Sequence, residues 1–130
     1  MKSLGIELKG STCIGILVDD QGSPIKSLKL ELSDSYDCKS VNDFFKAFED
    51  FFKANSPDQI VVKKRNEKGK FAGGAASFKM EGLIQLASEE KASFISGAQL
   101  NSFSKKLSEI PEVKKYQSQA LFCAIFGLNV

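Results

Sequence analysis

Leu4, Ile6 and Leu8 alternate with Gly5, Glu7 and Lys9. That period of two predicts a strand over Ser3–Lys9 with one face turned to a core. Gly10 and Ser11 have the composition of a tight turn. Thr12–Val18 (TCIGILV) is apolar almost throughout, which predicts a second strand covered on both faces. Asp19, Asp20, Gln21 and Gly22 form another turn. Residues 25–32 predict a third strand, with Leu28, Leu30 and Leu32 on one side and Lys29 and Glu31 on the other. Lysine on the polar side suits the edge of a sheet. These three strands form an antiparallel meander.

Beyond a polar connection at 33–39 the period lengthens. Val41, Phe44, Phe45, Phe48, Phe51 and Phe52 fall at helical spacing and make one wide apolar stripe, which is core. Ser40 is the expected N-cap, with Asp43 three residues on as a weaker capping box. Pro57, within 55–58, ends the helix. Residues 59–64 predict a fourth strand; coming after a helix, it runs parallel to the first. Met80, Leu83, Ile84 and Ala87 mark a second helix starting at Ser77, slightly weakened by Gly82. Residues 92–96 (ASFIS) are a short fifth strand. Residues 99–107 are a third helix with Leu100, Phe103 and Leu107 inward. Pro111 breaks the chain, and a last helix is expected over 112–126. Its segment from Leu121 to Phe126 is almost continuously apolar, so it is buried in this domain or in a partner.

Three antiparallel strands, a helix, then strand, helix, strand, helix, helix is the element order of the ribonuclease H-like fold. The class is α/β. The right-handed crossover rule places the fourth strand beside the first and gives a five-stranded mixed sheet of order 3-2-1-4-5, flanked by helices. The connection changes direction between strands one and four, so a crevice opens at their carboxyl ends. Residues 7–10 and 63–74 edge that crevice. At 130 residues the chain is expected to be one domain over 1–130.

Composition narrows the chemistry. No apolar run is long enough for a membrane span, and the first ten residues lack the pattern of a secretory signal. A cytoplasmic protein without a membrane partner is the expectation. Cys13, Cys38 and Cys123 are odd in number and widely spaced, hence read as reduced, with Cys13 and Cys123 in the core. The chain has no histidine, which excludes Ser-His and Cys-His catalysis and most zinc sites.

Charge singles out one stretch. From the end of the fourth strand into the second helix runs KKRNEKGKFAGGAASFK, with six basic residues (Lys63, Lys64, Arg65, Lys68, Lys70, Lys79) and one acidic residue (Glu67). This stretch carries a net +5 while the whole chain carries +2, so the remainder is at −3. Gly69, Gly73 and Gly74 accompany the charge. Glycine permits close approach of another molecule, and a cationic loop feeding a helix N-terminus favours phosphate. It is neither a P-loop nor a GxGxxG motif. A solvated lysine-rich surface is the plain alternative.

These residues also carry a resemblance. LGIELKGSTCIGILV resembles the opening of RuvC-type Holliday-junction resolvases and their relatives: a Gly-Ile-Asp strand, a glycine turn and a second hydrophobic strand. PDQIVVKKR resembles their Pro-Asp, hydrophobic-strand and glutamate segment. FISGAQLNSFSKKL is similar to their fifth strand and following helix, and YQSQALFCAIFGL to their final helix. The run KKRNEKGKFAGGAASFKMEGLIQL resembles a small, uncharacterised bacterial family related to these. The resemblance implies a two-metal nuclease whose carboxylates hold two divalent ions. Only Glu7 matches an acidic position. Lys63 and Lys64 stand at the second, and Tyr116 and Gln119 in the final helix. Nothing in the spacing of Asp19, Asp20, Glu67 or Glu81 marks them as substitutes. A lysine in that crevice repels a cation and attracts an anion, or pairs with Glu7 across the adjacent strands.

The expectation is a nucleic-acid-binding module on a RuvC-like scaffold, catalytically degenerate and without a cofactor. Lys63, Lys64, Arg65, Lys68, Lys70, Gly73, Gly74 and Lys79 would meet phosphate, and Phe71 would stack on a base. One alternative is a nuclease using magnesium or manganese, with Glu7 catalytic in a non-standard acidic set. Another is a domain that binds a small phosphate-bearing ligand, or one that forms a homodimer through its apolar last helix.

Overall fold

Gly10 adopts φ +61°, a left-handed conformation that lets the chain reverse at once into its second strand. The computed structural model describes residues 1–66, 68 and 74–129. Strands β1 (Ser3–Lys9), β2 (Thr12–Val18) and β3 (Pro24–Glu31) form the antiparallel meander. Helix α1 (Cys38–Asn55) leads to β4 (Gln59–Lys63), α2 (Ala75–Ala87), β5 (Ala92–Ile95) and α3 (Gly97–Ser104). A single 3-10 turn (Lys115–Gln117) precedes α4 (Ser118–Gly127). The sheet order is β3-β2-β1-β4-β5, with β4 parallel to both β1 and β5. This is the order anticipated from the succession of elements.

Each face of the sheet has its own helices. Leu4, Ile6 and Leu8 of β1 and Ile60 and Val62 of β4 pack with Phe44, Phe48 and Phe52 of α1 and Met80 and Ile84 of α2. On the other face Ile14, Ile16 and Val18 of β2 meet Ala120, Leu121 and Ala124 of α4. Val61 and Ile95 join Leu100 and Cys123 there. The almost uniformly apolar α4 is therefore covered within this chain. It can lie flat on β1 because Gly5 has no side chain: a Cβ there would stand 2.0 Å from the carbonyl oxygen of Ala120.

All four helix starts differ from expectation; α3, read over 99–107, spans Gly97–Ser104 and leaves Leu107 beyond its end. The N-cap of α1 is Asp37, whose Oδ2 accepts the Ser40 amide at 3.0 Å. Aspartate caps as well as serine, and the Ser40 side chain is engaged elsewhere. Its hydroxyl lies 3.0 Å from that of Ser33 and accepts the Asp34 amide. Helix α2 begins two residues before Ser77, at Ala75. Helix α4 begins six residues after 112, at Ser118. Val113 is occupied in covering the β2 cluster, and the Lys114 amide donates to the Gln117 side chain at 3.1 Å, starting a 3-10 turn first.

Candidate functional site

Parallel pairing puts Glu7, near the end of β1, directly beside Lys63 at the end of β4. Both lie on the sheet face that α4 covers. The close contact at Gly5 brings the first turn of α4, with Gln119, over this pair. The Lys63 ammonium stands 3.8 Å from Glu7 Oε2 and donates to Gln119 Oε1 at 3.0 Å. The Glu7 side chain is only 14% exposed and that of Lys63 26%. Cys123 sits one helical turn beyond Gln119. Burial pushes its thiol up to about 12, with Glu7 adding to the shift and Lys63 opposing it. A thiol so protonated is a packing group rather than a nucleophile.

Beside this cluster is a cleft of about 400 Å³ at the carboxyl ends of β4 and β5. Lys64, Arg65, Asn66, Lys68, Ser96 and Gly97 line it. The Lys64 amide donates to the Ile95 carbonyl at 2.8 Å, so the ladder continues one residue past the strand and holds the lysine at the rim. Arg65 is anchored twice: its amide donates to Glu81 Oε2 at 3.1 Å and its Nη1 to the Leu8 carbonyl at 3.2 Å. Its Nε is buried without a hydrogen-bond partner among the described residues. Ser96 caps α3 by accepting the Gln99 amide at 3.1 Å, while the Gln99 side chain accepts the Ser96 amide. A Cβ on Gly97 would stand 3.6 Å from Lys63 Cε, so the stem of Lys63 borders the cleft floor. Ser77 ties the first turn of α2 to the β1–β2 turn by donating to the Gly10 carbonyl at 2.9 Å.

The residues singled out in the sequence are thus divided. Glu7, Lys63, Lys64, Arg65 and Lys68 come together at the crevice. Gly74 caps α2 through its backbone and is exposed. Lys79 points elsewhere: its ammonium donates to the Ser35 carbonyl and lies 4.9 Å over the Tyr36 ring. Lys70, Phe71 and Gly73, with Glu67 and Gly69, lie outside the described residues. Tyr116 is under the Lys29 ammonium, 5.1 Å from ring centre, at the β3 edge. Asp19 accepts the Gln21 and Ser23 amides of its own turn. Ser96 and Gly97 escaped sequence reasoning, although the Ser-x-x-Gln pattern at 96–99 is a helix-start signature that marks them.

The groups converging at Glu7 do not fit a pair of divalent ions. They are one carboxylate, one carboxamide and an ammonium. Among the described residues no three of His, Cys, Asp and Glu gather into a metal-binding group. A positive charge 3.8 Å from the carboxylate opposes a second cation at the same place.

The architecture has solved counterparts. The RuvC structure of Thermus thermophilus superposes with a TM-score of 0.76 at 12% identity, covering 96% of this chain and 92% of that one. RuvC from the same organism in complex with a Holliday junction substrate gives 0.71 at 13%, covering 96% and 90%. A ROK hexokinase from Thermus thermophilus gives 0.51 at 12%, covering 81% of this chain but 38% of its own. The fold is ribonuclease H-like. Comparison with curated protein sequences finds no match. A family model described as Protein of unknown function (DUF3010) matches residues 1–126.

Proposed function

We propose, from the premise that the chain belongs to the DUF3010 family of proteins of unknown function, that it is a phosphate-backbone-binding module without nuclease activity. One observation carries this reading. The cleft at the carboxyl ends of β4 and β5 is lined by Lys64, Arg65 and Lys68, and Lys63 stands beside Glu7, where hydrolysis would need further carboxylates. Lys64, Arg65 and Lys68 attract phosphate by charge alone, and the double anchoring of Arg65 fixes part of that charge in place. Nucleic acid is favoured over other phosphate-bearing ligands because the solved RuvC counterpart is described with a Holliday junction substrate.

The test is an electrophoretic shift assay with branched, double-stranded and single-stranded probes at low salt in EDTA. Association is expected without metal, and Lys64→Glu combined with Lys68→Glu should weaken it by at least about tenfold. Absence of any shifted complex at low salt would reject the reading. Cleavage in magnesium or manganese that disappears in Glu7→Gln would replace it with the nuclease alternative.

A further inference from the structure

Two oxygen donors from separate elements converge on one positive charge. Glu7 Oε2 comes from β1 and Gln119 Oε1 from α4, and between them sits the Lys63 ammonium at 3.8 and 3.0 Å. A carboxylate and a carboxamide oxygen meeting in a partly buried corner make an incomplete ligand set for a hard cation. Here the chain supplies the cation itself, on a stem that also borders the phosphate cleft at Gly97. We propose that Lys63 is a tethered cation, filling the Glu7–Gln119 corner in place of a divalent ion and closing it to metal.

Three features set this apart from an ordinary surface ion pair. The ammonium satisfies both strand and helix, so it also fastens α4 over the end of β1. The carboxylate is largely shielded, so without Lys63 it would need another counter-charge. Residues 7 and 63 are direct neighbours in a parallel pair, so a carboxylate at 63 would lie alongside that of Glu7 and both could reach one ion. Metal independence of phosphate binding follows only if the functional reading above is also right. The occupancy of the corner does not depend on it.

The discriminating experiment titrates Mn²⁺ into the whole chain without nucleic acid, read by calorimetry and by the thermal midpoint. Wild type should take up no Mn²⁺ at this corner. Lys63→Glu should bind one Mn²⁺ per chain, at least about tenfold more tightly than any residual uptake by wild type elsewhere. Its midpoint, lowered without metal, should rise on adding Mn²⁺. Lys63→Ala, which leaves Glu7 uncompensated, should show the same rise in weaker form. One Mn²⁺ bound by wild type and lost in Glu7→Gln would overturn the proposal. So would folded Lys63→Glu and Lys63→Ala proteins indifferent to Mn²⁺. If Lys63→Glu does not fold without metal, recovery of its circular dichroism on adding Mn²⁺ supports the proposal. If neither that recovery nor a Lys63→Ala response is seen, it fails. Because no nucleic acid is present, failure here leaves the phosphate-binding reading to its own shift assay.

Discussion

Cys13 and Cys123 lie on opposite faces of the sheet, each wholly or almost wholly enclosed, while Cys38 is exposed at the first residue of α1. Burial raises both enclosed thiols from 9.0 to about 12. In the unfolded chain they ionise near the ordinary value, so the folded state holds its protons longer. Their contribution to stability is complete below pH 9 and diminishes as pH rises from 9 toward 12. A thiol-reactive dye should therefore label one cysteine of the native protein, Cys38, and all three after denaturation. Cys38→Ser should abolish the native labelling, and rapid native labelling of Cys123 would contradict the packing of α4. The core placement of Cys13 and Cys123 was legible because apolar neighbours surround both. The choice between Lys63 and Lys64 as the partner of Glu7 was not. Ile60, Val61 and Val62 are apolar without alternation, since β4 is covered on both faces. A run without alternation carries no phase to tell which of the two following lysines turns toward α4.

At the scale of elements, the contact between β1 and α4 holds the site together. A Cβ at residue 5 would stand 2.0 Å from the Ala120 carbonyl oxygen and 2.2 Å from the Ala124 nitrogen, both backbone atoms that cannot swing aside. Gly5→Ala should force α4 off the sheet, costing about 1–3 kcal/mol or more, and part Gln119 from Lys63. Gly82 is the control, because a Cβ there meets nothing within 4 Å. Gly82→Ala inside α2 should stabilise by up to about 1 kcal/mol. Chemical denaturation of the two variants checks both signs. A neutral Gly5→Ala would mean that α4 does not lie this close to β1. Strands β1 and β2 were legible to the residue, β1 by its period of two and β2 as an apolar run, because turn residues bound both. Helix starts were less so. Both Asp37 and Ser40 can cap, and only the packing of the 33–37 loop onto Ser40 decides between them. Apolar Val113 fits a helical pattern too, yet it is spent on covering β2.

For the whole molecule, strand order followed from the order of elements and the handedness of crossovers, and needed no particular residue. The local excess of positive charge was equally plain. Less visible was its division: Lys63 turns inward to Glu7 and Gln119, Lys64 and Lys68 line the cleft, and Lys79 faces the α1 side. A charge count cannot show that division, because it depends on strand phase and helix rotation. The described residues contain no helix long and apolar enough to cross a membrane. What remains is a crevice lined by its own cations, and the central claim is that it holds phosphate without metal. The measurement that bears on it most directly is nucleic-acid affinity in EDTA across a salt series, by fluorescence anisotropy. With two or three cleft cations engaged, log affinity should fall linearly with log salt at a slope of about −2 to −3 for duplex DNA. A slope near zero, or association that appears only when magnesium is added, would contradict it.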